Sequence, residues 1–171
     1  MKSIPFLAAT AAAATMAQAD IPSAADRIAM IDTVTSIAAG ADRHQWDRVR
    51  AAFADKVTLD YSSLWGGGAA VQSADDVVAQ WAGFLQGFDA TLHLVTNHTV
   101  TEFDGERATL EADFLALHKL GDAEWRLAGR YTYQLVHDVT WKVGVLTMTW
   151  THEAGDRTLV AKAAERAVGA D

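Results

Sequence analysis

The stretch Arg107-Ala108-Thr109-Leu110-Glu111-Ala112-Asp113-Phe114-Leu115-Ala116-Leu117-His118-Lys119-Leu120, closed by Gly121-Asp122, decides the fold. Its period is two. Ala108, Leu110, Ala112, Phe114, Ala116 and His118 fall on one face, and Thr109, Glu111, Asp113 and Lys119 on the other with Leu115 and Leu117. That alternation is the mark of a half-buried β-strand. It also turns His118 inward near the strand's end, the single polar member of an apolar face. A lone inward histidine is ordinarily a core residue satisfied by one backbone hydrogen bond.

Working outward, three more segments alternate: 91–103, 124–137 and 140–152. Asp104-Gly105, Gly121-Asp122 and Asp138 stand at the joins. Asp-Gly between alternating segments signals a hairpin, and short turns force antiparallel neighbours. Strands of this length bend, and a bent sheet over helices leaves a concavity where ligands bind. On the third and fourth segments both faces are half apolar, as expected if the outer face packs on a second subunit.

Upstream the period is helical. Ser23 is a candidate N-cap; Ile28, Ile31, Val34 and Ile37 recur every third residue, and Gly40 is the expected helix end. Trp46, Val49, Ala52 and Phe53 form the face of a shorter helix. Val57, Leu59 and Tyr61 alternate as a strand, which makes Tyr61 rather than Asp60 its inward end. Residues 62–72, with Trp65 and the run Gly66-Gly67-Gly68, read as a mobile loop. Ser73 caps a third helix whose buried side holds Val77, Val78, Trp81, Phe84 and Leu85, and 157–168 read as a terminal helix. Helices followed by a meander predict an α+β domain.

Composition narrows the function. The formal charge of −8 and the lack of a Lys/Arg cluster argue against nucleic acid. There is no cysteine, hence no disulfide, thiolate site or cysteine nucleophile. No membrane span is expected. Residues 1–19 read as an export signal: Lys2, then an alanine-rich apolar run, then Ala17-Gln18-Ala19 before Asp20. Cleavage there would leave a single domain, 20–171, with a charge of −9 in the periplasm or outside the cell. His93 and His98 fall on opposite faces of a regular strand, so metal chelation is not expected despite six histidines.

The residues 41–50, then Leu59-Asp60-Tyr61, Thr91-Leu92-His93, Asn97-His98, Leu117-His118, Gly129-Arg130-Tyr131 and Trp141-Lys142-Val143, resemble scytalone dehydratase and SnoaL-like proteins of the NTF2-like superfamily. The resemblance spans 24–153. It implies a cone-shaped α+β barrel, a curved and mostly antiparallel sheet around a closed-off pocket, a homodimer, no cofactor and a small-molecule ligand. It also implies acid–base removal of a proton, with loss of water from a cyclic hydroxyketone. Asp42 would take the aspartate position with His118 as its partner; His93 would be the second histidine and Tyr61 one tyrosine. Ala41 stands where a second tyrosine is expected, and Arg130 where a substrate-contacting asparagine is expected; both departures argue against scytalone as the substrate. Asn97, Trp81 and Trp65 complete the expected binding wall.

A carboxylate on one imidazole nitrogen fixes the tautomer and raises basicity, and an apolar pocket strengthens the effect. The sequence therefore predicts a lyase or isomerase in which His118, oriented by Asp42, removes a proton beside a carbonyl. The alternatives are a non-catalytic binding protein and an assembly partner like the small subunit of aromatic-ring dioxygenases, since fold does not fix function.

Overall fold

The structure, a computed structural model, describes residues 21–169; the export signal expected at 1–19 lies outside them. The elements run α1 (Ala24–Asp42), α2 (Trp46–Ala52), β1 (Phe53–Asp60), α3 (Ser62–Trp65), β2 (Ala70–Ser73), α4 (Ala74–Leu85), β3 (Ala90–Phe103), β4 (Arg107–Leu120), β5 (Ala123–His137), β6 (Trp141–Gly155) and α5 (Leu159–Val168). The four long strands expected from alternation are all present. They form one six-stranded sheet in the order β2-β1-β6-β5-β4-β3. Every neighbouring pair is antiparallel except β1 with β6, which makes the sheet mixed. The sheet stays open, with β2 and β3 as its edges.

Local chemistry explains the joins. Asp104 Oδ1 accepts from the backbone N–H groups of Glu106 and Arg107, and Gly105 takes a φ of 93° that other residues avoid. Ser23 and Ser73 accept from the N–H of the third residue of their helices, as N-caps do.

Three helical expectations change. First, α1 runs through Gly40 to Asp42. A Cβ at Gly40 would lie 2.8 Å from Val49 Cγ2, so the glycine serves close contact with α2 rather than termination. Second, the buried side of α1 is Met30, Val34, Ile37 and Ala41, while Ile28 is exposed. A strict three-residue repeat drifts about 60° per step around a helix, so Ile28 and Ile37 point opposite ways. Third, the glycine loop is framed by the single turn α3 and the edge strand β2, and β1 starts at Phe53, which leaves the helical face predicted for it.

The core fills the space between the inner face of the sheet and α1 and α4, with α5 laid against α4. Inward residues are those of the deciding stretch, joined by Trp125, Leu127, Tyr131, Tyr133 and Leu135 of β5 and Leu146 and Met148 of β6. The register slips in β3 between Thr96 and Thr99 and in the β5–β6 pair beside Gly129. Such bulges bend a sheet.

At Gly129 the bend brings backbone close: an added Cβ would sit 2.2 Å from the Thr149 carbonyl oxygen and 2.7 Å from Trp150 Cα. Gly129→Ala should therefore destabilise the fold by about 1–3 kcal/mol, read by urea denaturation. A variant as stable as the parent would show that the sheet bends without this contact.

Candidate active site

Asp42 is the last residue of α1, at a helix end whose dipole disfavours a carboxylate. Its side chain turns toward β3, on which α1 packs. There Oδ1 accepts from Thr91 Oγ1 at 2.9 Å and lies 2.6 Å from His93 Nδ1, while Oδ2 accepts from the His93 backbone N–H at 2.7 Å. Burial pushes the Asp42 carboxyl up, but the bonds and charge from His93, with Thr91, outweigh it and hold the group below its ordinary value. An ionised carboxylate only accepts, so Nδ1 of a neutral His93 carries the proton and Nε2 is left with a free lone pair.

This corrects the expected pairing. Asp42 orients His93, not His118. The reason is topological: α1 ends over the edge strand β3, where Thr91 and His93 lie two residues apart, and His118 is one strand further in, opposite Thr91. Asp42 is thus not a partner of His118, and α2 begins after Gln45, three residues further on.

His118 is buried, as alternation implied. Its ring lies among Phe88, Trp125 and His93, with centroids 5.1, 4.7 and 5.2 Å away. Nδ1 has no hydrogen-bond partner among the described residues. Burial, then repulsion from the His93 ring whenever that ring is charged, lowers the His118 pKa to about 3. It is a neutral imidazole at physiological pH and a much weaker base than an ordinary histidine.

Both histidines face a cavity of about 100 Å³ under the concave face. Ile37, Ala38 and Ala41 of α1, Trp81 and Phe84 of α4 and Leu64 of α3 wall it on the helical side. From the sheet come Trp125, Leu127, Tyr131, Tyr133 and Met148. Tyr61 lines it too, at the turn between β1 and α3, with its ring edge against Trp81. Burial pushes the Tyr61, Tyr131 and Tyr133 hydroxyls above the ordinary phenol value. Trp65 lines it as well: its ring is half exposed, 6.0 Å from Trp125, and lies beneath the Arg157 guanidinium.

Two expected wall residues are elsewhere. Asn97 sits at the β3 bulge with a φ of 56°, exposed, its Nδ2 donating to Asp113 on the outer face. The extra residue flips the strand's phase, which half-buries His98 instead. Arg130 also points outward, beside Glu111 and Asp113. Its neighbour Tyr131 takes the inward place. Alternation along β5 had already grouped Tyr131 and Tyr133 with Trp125 and Leu127, and that was the available signal for the tyrosines. Among the described residues no three His, Cys, Asp or Glu side chains converge as a metal site.

The depressed His118 pKa carries a stability consequence. Unfolded, the ring binds a proton near its ordinary value of 6.5; folded, it resists until about 3. The unfolded state thus holds more protons in that window, and stability is lost as pH falls through it. By about pH 5 the loss is about 2 kcal/mol. Thermal midpoints of His118→Leu should fall less than the parent's between about pH 7.5 and about pH 5; parallel slopes would contradict the buried neutral ring.

A family model described as a SnoaL-like domain matches residues 22–147. No curated protein matches the chain. Among solved structures, the Kfla4162 protein from Kribbella flavida is 29% identical, with a TM-score of 0.72 over 81% of this chain and 98% of its own. A candidate scytalone dehydratase from Novosphingobium aromaticivorans is 16% identical (TM-score 0.65; 78% and 89% covered). Hexachlorocyclohexane dehydrochlorinase LinA-type3 from Novosphingobium barchaimii LL02 is 21% identical (TM-score 0.64; 78% and 91%). The last two likenesses concern the fold, which is the NTF2-like one the sequence implied.

Proposed function

The chain belongs to the SnoaL-like domain family, and we propose that it is a cofactor-independent acid–base enzyme of the dehydratase or isomerase type, acting on a small, largely apolar carbonyl or hydroxy compound. The observation that carries this is the 2.6 Å contact of His93 Nδ1 with Asp42 at the wall of an apolar cavity. It leaves Nε2 free as a general base in a place with little water to compete.

In the proposed reaction, His93 Nε2 takes a proton from the carbon beside a carbonyl, and Asp42 stabilises the imidazolium that forms. In a dehydration the imidazolium then protonates the departing hydroxyl, so that water and a carbon–carbon double bond result. In an isomerisation it returns the proton to another carbon. His118, buried and neutral beside His93, lines the site without serving as its base. Trp65, Trp81 and Phe84 supply the faces that hold a ring.

A suitable probe is 3-hydroxycyclohexanone, whose dehydration gives an ultraviolet-absorbing enone. His93→Ala should lower kcat/KM by about 10³-fold, and Asp42→Asn by a smaller factor, with the fold retained. Full activity in His93→Ala would sink the proposal. Tight binding of the probe without any turnover would favour the binding-protein reading.

We also propose a homodimer across the outer face of the sheet. Leu92, Leu94 and Leu115 are about half exposed there, and Leu94 pairs in register with Leu115. Sedimentation velocity should show a dimer that Leu94→Glu with Leu115→Glu converts to monomer; a monomeric parent would overturn it. Export rests on the leader-like residues 1–19 alone.

A further inference from the structure

Trp65 has the buried cavity on one side and open surface on the other. Its ring lines the cavity and is half exposed, whereas every other residue that lines the cavity is buried or partly buried. Two further recesses lie outside it. One runs between α4 and α5 past Ala79, Gly83, Ala161 and Arg157. The other runs along Leu59, Gly66, Gly68 and Ala70. Trp65 and Phe84 are the two side chains that line all three spaces, so they form the partition between the cavity and the surface.

Of these two, Trp65 is the one free to move. Phe84 sits within the helix α4. Trp65 ends the single turn α3, and residues 65–71 are all exposed. Gly66 and Gly67 follow with φ of 75° and 79°, a region that glycine enters without strain, and an added Cβ at Gly66, Gly67 or Gly68 would meet nothing within 4 Å. The start of the turn is anchored: Ser63 Oγ donates to the Met148 carbonyl at 2.6 Å. Beyond it, Arg157 does the holding. Its Nη1 donates to the Leu64 carbonyl at 3.1 Å, and its guanidinium lies 5.4 Å from the centre of the Trp65 ring. Arg157 is itself fixed by Glu153 through two hydrogen bonds, the one from Nε being 2.6 Å long. Glu153 Oε1 also accepts from Trp125 Nε1 at 2.7 Å, so one carboxylate serves both the cavity wall and the arginine.

We propose that Trp65 is the gate of the cavity and Arg157 its latch: a small ligand enters and leaves when the Trp65 ring parts from the Arg157 guanidinium and turns into the recess beside Gly66 and Gly68. The glycine run, a mobile loop by sequence, is on this account the freedom the gate requires. Arg157 lies outside the cavity lining, so the latch sets how often the gate opens and not how tightly the ligand is held. The gate serves a ligand that reacts and one that is only held, and it stands apart from the choice of base.

The test is exchange NMR with ¹³C-labelled benzene, a neutral ring that apolar cavities admit, on the parent, Arg157→Met, Glu153→Gln and Trp65→Ala. Arg157→Met should raise kon and koff together by about tenfold and leave Kd within about twofold. Glu153→Gln keeps an acceptor for Trp125 and removes the charge that holds Arg157; it should move both rates the same way by a smaller factor, and carries the test if Arg157→Met folds poorly. Trp65→Ala should raise kon at least as far as Arg157→Met. Sodium chloride raised from about 50 to about 500 mM should speed exchange in the parent more than in Arg157→Met, because the salt screens a pair that only the parent has. An unchanged kon in Trp65→Ala would overturn the gate. Unchanged rates in both Arg157→Met and Glu153→Gln, or a koff that rises alone with affinity lost in proportion, would overturn the latch. Failure of benzene to bind the parent would overturn a gated space for a ring.

Discussion

The bond between Asp42 and His93 is the interaction on which the site depends. It joins the end of α1 to the edge strand β3, two elements that are far apart in sequence. A carboxylate at a helix C-terminus is electrostatically unfavourable. It is tolerated because two N–H groups and a hydroxyl donate to it. Those donors in turn fix the imidazole's tautomer. A structural requirement, satisfying a half-buried charge, and a chemical one, exposing a basic nitrogen to a cavity, are met by the same contacts.

The rest of the fold supplies the setting. Bulges in β3 and beside Gly129 bend the sheet, and α1 and α4 close over its concave face. The result gathers two kinds of polar group. Imidazoles from β3 and β4 line the cavity together with phenols from β5 and the β1–α3 turn. Burial acts oppositely on the two. It drives His118 toward neutrality by lowering its pKa, and it keeps the phenols neutral by raising theirs. A site whose lining holds imidazoles and neutral phenols and no fixed charge favours a neutral ligand that acquires charge only as it reacts.

Much of this was legible in the sequence because period-two alternation ran unbroken for more than a dozen residues and Asp-Gly marked a turn. The inward direction of His118 and the identity of Asp42, His93 and Tyr61 as cavity or near-cavity residues came from the same patterns and the family resemblance. What was not legible was whatever depends on a tertiary contact. Gly40 looks like a helix stop until Val49 is seen against it. Asn97 looks inward until one extra residue shifts the strand's phase. Arg130 and Tyr131 are adjacent and so lie on opposite faces of β5; both faces are half apolar, so alternation groups Tyr131 with Trp125 and Leu127 without saying which face is concave. The Asp42 partner could not be read at all, since His93 and His118 both face inward and only the placement of α1 over β3 chooses between them.

The most direct measurement of that choice is ¹⁵N and proton NMR of the histidine rings at neutral pH. The account predicts a proton on His93 Nδ1, shifted far downfield by its short bond to Asp42, a bare Nε2, and a His118 ring that stays neutral until well into the acid range. A His93 protonated on Nε2, or a downfield proton that disappears with His118→Leu and survives His93→Ala, would contradict it.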